Sequence, residues 1–210
     1  MTEKFAALHP DKQRKIINAA LQEFAEHGYE QASTNRIVKK AEIGKGMLFY
    51  YFRSKQQLYR YLIDYSLNIV RQHYLQRIDT SESDFIQRLE QAAHLKMDAM
   101  IDHPHVFQFM GTFLLTPENE LAADQKKRIE SLQRLGEEKL YKGVDVTLFR
   151  DDVDVEKAYQ LIRWAIEGYQ NELKTRLVGQ KMTAISLEPL WEEFYQYVDV
   201  LKTIFYKSKG

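Results

Sequence analysis

The sequence predicts an all-α protein of about nine helices: an N-terminal three-helix unit with a helix-turn-helix, then a larger helical body. Three observations predict it. Four prolines and nine glycines in 210 residues are too few for the many turns of an all-β chain. Apolar residues recur at three- and four-residue spacing through long stretches free of both, as in Ile16, Ala20 and Phe24 with Ile17 and Leu21 beside them. The stretch TNRIVKKAEIGKGMLFYYFRSK, Thr34 to Lys55, reads as two short helices around the tight turn Glu42-Ile43-Gly44 and the start of a third. The length suits one such head, residues 1–54, and one larger core, residues 55–210.

Taken in order, residues 1–9 read as a mobile arm. Pro10-Asp11 opens the first helix, because proline is tolerated at a helix start and an acid suits the first turn. Gly28 ends it as a left-handed cap. Thr34 sits where the N-cap of the second helix belongs, and Ile37, Val38 and Ala41 share one face. Glu42 is strained if the turn demands a positive φ. Gly44 caps the next helix, Lys45 to Phe52, less well than serine would. Leu48 and Phe52 lie four residues apart on its inward side. Ser54 caps a fourth helix from Lys55 to about Ile78, with Leu58, Leu62, Ile69 and Leu75 inward, which joins head to body. Body helices follow at about 84–102, 105–115, 118–142, 154–178 and 187–207, punctuated by Pro104, Pro117, Gly143 and Pro189.

Charge divides along the same line. Residues 1–60 hold eleven Lys/Arg against six Asp/Glu, and the other 150 hold nineteen against twenty-four, so the head with the start of the fourth helix carries +5 and the rest of the chain −5. That asymmetry suits a protein whose one end meets phosphate. There is no cysteine, hence no disulfide framework or thiolate metal site. Without a charged-then-apolar leader or an apolar run near 18 residues, the expectation is a cytoplasmic protein that neither is secreted nor spans a membrane. No nucleophile elbow, phosphate-cradling glycine loop, HExxH or Glu-x-x-His pair occurs, which argues against an enzyme. No cofactor is assigned. His94, Asp98 and Asp102 share a helix face but read as a solvated stripe, so no metal is assigned either.

A helix-turn-helix places its second helix in the major groove with its N-terminal residues nearest the bases. Here that end carries Lys45 and Gly46, a cation beside a bare backbone amide, which suits a phosphate or a guanine edge. The residues therefore point to a regulator that binds double-stranded DNA.

The same stretch resembles the tetracycline-repressor (TetR) family of bacterial regulators. The resemblance rests on Thr34, Ile37, Ala41, Ile43, Lys45, Gly46, Leu48, Tyr50-Tyr51-Phe52, Ser54-Lys55 and Leu58, with Ile16-Ile17, Ala19-Ala20, Phe24 and Gly28-Tyr29 upstream. It covers roughly residues 10–62. Glu42 stands where members often have glycine, Gly44 where they have Ser or Thr, and Met47 and Phe49 where small or hydroxyl residues are common.

The resemblance implies a homodimeric repressor on a palindromic operator. Lys45, Gly46, Met47 and Tyr50 would approach bases, and Thr34, Arg36, Tyr51 and Lys55 the backbone. One of the two tyrosine rings packs inward. The last two long helices supply the dimer surface through Ala158, Leu161, Ile162 and Ala165, and through Leu190, Phe194, Tyr197, Val198 and Leu201; the alternative is that both stripes face the chain's own core. A small-molecule effector, apolar or a lipophilic cation, would lodge among Met97, Met100, Phe107, Met110, Phe113, Tyr159, Arg163, Trp164 and Glu167. The cation reading rests on Glu167 near aromatic rings, although Glu167 equally suits a pair with Arg163.

Overall fold

A computed structural model describes residues 3–115, 123–178 and 180–207, apart from the side chains of 113–115 and 182. Among these residues there are ten α-helices: α1 (Glu3–Ala6), α2 (Pro10–Gln31), α3 (Thr34–Ala41), α4 (Lys45–Phe52), α5 (Lys55–His73), α6 (Phe85–Asp102), α7 (Pro104–Leu115), α8 (Ala123–Tyr141), α9 (Val155–Leu177) and α10 (Glu188–Phe205). The only β pairing described is an isolated antiparallel bridge between Phe149 and Tyr206. No helix of the described residues is long and apolar enough to cross a membrane.

The starts follow capping chemistry. Ser54 Oγ accepts from the Gln57 amide at 3.1 Å, Asp84 Oδ1 from Gln87 at 3.1 Å and Asp154 Oδ1 from Lys157 at 3.2 Å. Each satisfies one amide that the helix cannot. Gly143, at φ 72°, follows the end of α8.

Four expectations are corrected here. Residues 3–6 form a helical turn rather than a mobile arm, because Phe5 is wholly buried against the head. Gly28 takes a positive φ of 64° as expected, but its ψ of 179° is not that of a left-handed cap; it kinks α2, which resumes to Gln31. The N-cap of α3 is Ser33, with Thr34 inside the first turn. The lever helix α5 stops at His73, where Tyr74 leaves helical geometry (φ −126°, ψ −74°), and a 3-10 turn, Leu75–Arg77, follows. Residues 118–122 of the expected 118–142 helix lie outside the described residues.

One core fills the head and runs on into the body. Phe5, Ile16, Ala20, Leu21, Phe24, Ile37, Leu48, Tyr51, Phe52, Leu58 and Leu62 join Val106, Phe109 and Met110 of α7 in a single buried cluster. A second cluster joins Phe85, Ile86 and Leu89 of α6 to Ala158, Ile162 and Ile166 of α9, Val198 of α10, and Phe149 and Tyr206. At its edge Arg88 is fully buried. It donates to the carbonyls of Glu82 (2.7 Å), Lys142 (2.6 Å), Lys139 (3.2 Å) and Thr80 (3.3 Å). The side chain thereby ties the C-terminal carbonyls of α8 to the loop before α6, satisfying groups that a helix end leaves open.

Candidate nucleic-acid interface

The head presents α4 on a solid base. Leu48, Tyr51 and Phe52, spaced i, i+3, i+4, are 1–2% exposed and face the core. Lys45, Gly46, Met47 and Tyr50 face out, with Met47 41% and Tyr50 48% exposed. The two tyrosines are thus sorted. Tyr51 is the inward ring, edge-on to Phe5 at 5.6 Å, and its expected phosphate contact is corrected, since its side chain is enclosed. Tyr50 is the outward ring, with Lys4 Nζ 4.1 Å from its centroid. The arm read as mobile therefore places both a core anchor and a cation beside α4.

The turn between α3 and α4 carries the strain that its sequence implies. Glu42 adopts φ 53°, ψ 44° and pairs with Lys15 of α2. Arg53, which ends α4, also takes a positive φ, 60°, and nothing in its sequence context announced it.

Two of the expected DNA contacts are turned back into the protein. Arg36 gives Nε to both Glu23 oxygens (2.9 and 3.1 Å) and a terminal nitrogen to the Gln31 carbonyl (2.9 Å). Glu23, 7% exposed, also accepts the Ser33 amide at 2.7 Å. Burial alone would raise the Glu23 carboxyl, but the Arg36 hydrogen bond and the Ser33 amide outweigh it and hold it below the usual range. Arg36 therefore braces α3 against α2. Lys55 donates to the Glu30 carbonyl at 3.0 Å and lies 4.8 Å from the Tyr29 ring centroid, at the start of α5. Thr34 is half-buried, while Lys39 and Lys40 are exposed.

The body holds a cavity of about 300 Å³ between α6, α9 and α10. Leu89, Ala92, Ala93, Lys96 and Met100 line it from α6, Tyr169, Gln170, Leu173, Lys174 and Leu177 from α9, and Leu190, Trp191 and Phe194 from α10; Tyr74, Gly111, Leu140 and Leu187 also line it. Of the eight described side chains expected at an effector site, Met100 alone lines it. Met110 and Phe107 belong to the head core. Tyr159 donates to the Tyr141 carbonyl at 2.6 Å. Arg163 pairs with Glu167 at 2.7 Å and Glu137 at 3.5 Å, and Trp164 is 58% exposed on the outer surface. Met97 is half-buried outside the lining, and the Phe113 side chain lies outside the described ones. The signal that marks this site in the sequence is a lysine, Lys96, inside the apolar stripe Leu89, Ala92, Ala93, Met100.

The expected dimer stripes are also divided. Ala158, Ile162 and Val198 are 0–2% exposed in the chain's own core, so these three are corrected; Leu190 and Phe194 are half-buried and line the cavity. Leu201 is half-buried. Leu161, Ala165 and Tyr197 face out, and with them Trp164, Val200 and Ile204, the large ones each about half exposed. Among the described residues no three metal-ligating side chains come together.

An outward second helix on a buried three-helix support, followed by a helical body, is the architecture of a helix-turn-helix regulator. The family model described as "Bacterial regulatory proteins, tetR family" matches residues 16–62. An HTH-type transcriptional regulator of Staphylococcus aureus is 31% identical over 98 residues, 47% of this chain and 52% of the relative, so the chain spans about half the length of that protein. The HTH-type transcriptional repressor KstR2 of Mycobacterium tuberculosis is 25% identical over 190 residues, 85% of this chain and 92% of the repressor. A TetR-family regulator from Chloroflexus aurantiacus superposes with a TM-score of 0.63 at 22% identity, covering 99% of both chains. Residues 16–62 thus match the regulatory-protein model of the tetR family, and the relatives that the chain is similar to are transcriptional regulators.

Proposed function

We propose that the chain is a ligand-responsive repressor that binds a palindromic operator as a homodimer and leaves it when a small, largely apolar molecule fills the body cavity. The observation that carries this reading is the outward row Lys45, Gly46, Met47 and Tyr50 on a helix whose other face is locked in the core. A rigid helix with a cation and a bare amide at its start fits a major groove. In this reading Thr34, Lys39, Lys40 and Lys55 hold phosphates, Lys55 after giving up its carbonyl partner. The repressor likeness to KstR2 supports the sign of the regulation.

The outer stripe of α9 and α10, Leu161, Trp164, Ala165, Tyr197, Val200 and Ile204, supports the dimer. So large an exposed apolar set on two adjacent helices favours burial against a second copy. Tyr74 ends the lever helix and also lines the cavity. A ligand against Tyr74 would bias the set of α5, hence the spacing of two heads, by no more than its difference in affinity for the two spacings. The effector is not read as a cation, because Glu167, which suggested one, is paired with Arg163 outside the cavity.

Selection of duplexes from a random pool tests the proposal. A palindrome bound by two chains, with affinity falling steeply with salt, supports it. Recovery of no preferred sequence, or binding by one chain, overturns it.

A further inference from the structure

The cavity wall is largely apolar, and its polar members are two lysines, Lys96 and Lys174, with Gln170, Tyr74 and Tyr169. Lys96 occupies the stripe of α6 that also holds Leu89, Ala93 and Met100, and so points inward. Its Nζ stands 6.0 Å from the Trp191 ring centroid. Lys96 is nonetheless exposed to solvent, as is Lys174. Loss of water on its protein-facing side, and then the neighbouring Lys174, push its ammonium below the ordinary value. Among the described residues no carboxylate answers either lysine. Two like charges on one cavity wall repel, and an entering anion relieves that repulsion while its apolar body covers the rest of the lining. Lysine serves here as a compact point charge rather than a planar fork.

We infer that the effector is an amphiphilic monocarboxylate, its single acidic head against Lys96 and Lys174 and its apolar body against Leu89, Trp191 and Phe194. The inference rests on the reading of the cavity as the effector site. It sets the sign of the charge that the site selects: a neutral apolar molecule leaves the lysines unanswered, and a lipophilic cation adds a third like charge.

The test is calorimetric titration of the full chain with decanoate, decanol and decylamine, in wild type, Lys96→Met and Lys96→Arg. A charge-assisted contact predicts decanoate binding roughly tenfold or more tighter than decanol, with decylamine weakest. Lys96→Met, which keeps the apolar stem, should bring decanoate down to the level of decanol. Lys96→Arg, which keeps the charge, should retain the preference and shows that the site survives substitution. Decylamine binding as well as decanoate, a preference that survives Lys96→Met, or no heat from any probe each overturns the inference. The same samples are titrated against the selected duplex. Duplex binding without decanoate binding sinks the effector assignment alone; decanoate binding without duplex binding sinks the repressor reading and leaves the carboxylate site standing.

Discussion

Replacing Phe5 by Ala removes the anchor that holds the N-terminal turn on the recognition helix. The ring is fully buried, 4.7 Å from Phe52, 5.6 Å from Tyr51 and 5.7 Å from Tyr61 by centroid. In a core that cannot collapse, Phe→Ala costs about 3–5 kcal/mol. Here α1 is only four residues and can lift away instead of leaving a void. The loss is then nearer the burial energy of one phenyl side chain, about 2–3 kcal/mol. For a chain of this length that lowers Tm by roughly 4–12 °C. Thermal melting by circular dichroism measures the shift. Hydrogen exchange reads the amides of Ala7 and Leu8, which donate to the Glu3 and Phe5 carbonyls and should lose protection, and operator affinity should fall because Lys4 no longer sits over Tyr50. A Tm within about 1 °C of wild type, with those amides still protected, would refute the claim that Phe5 organises the head.

Three further outcomes follow from the same geometry. Lys45→Ala should weaken operator binding and reduce its salt slope by about one unit if Lys45 meets phosphate, or relax base preference at one position if it meets guanine; titrations across salt with operator and scrambled duplexes separate the two. Glu23, whose carboxyl is held below its unfolded value of 4.5, contributes stability that is present above that pH and lost as pH falls through its lower folded value. The stability gap between wild type and Glu23→Gln, measured by urea melts from pH 6 downward, should therefore narrow in acid; a constant gap would show that the Arg36 brace is not electrostatic. Arg88→Met leaves buried carbonyls of the α8 terminus unpaired, at about 1–3 kcal/mol for each group that water cannot reach, so the body should unfold well before wild type in urea.

The head was legible in the sequence because short-range rules govern it. The turn, the Gly44 and Ser54 caps and the inward spacing of Leu48 and Phe52 are local, and the positive φ of Glu42 follows from the turn it occupies; the caps read at Gly28 and Thr34 missed by a kink and by one residue. Phe5 was not legible, since four residues ahead of a proline carry no periodicity and only a tertiary contact holds them. Arg36 and Lys55 looked like phosphate ligands by their place on the helices. What redirects them is Glu23 and the Glu30 carbonyl, thirteen and twenty-five residues distant. In the body the stripes themselves were visible, but which stripe faces core, cavity or solvent depends on how α6, α9 and α10 are rotated about their axes. That rotation placed Ile162 and Val198 inside, Leu190 and Phe194 on the cavity, and Trp164 outside. A lysine interrupting an apolar stripe, Lys96, was the one local mark of the cavity.

The account rests on α4 reading DNA from a paired molecule. Its most direct test is the mass of the complex between the full chain and its selected duplex, by light scattering at low ionic strength. The prediction is two chains per palindromic duplex, and one chain or none on a half-site whose partner half is scrambled. A single chain bound with equal strength to palindrome and scrambled sequence would contradict it.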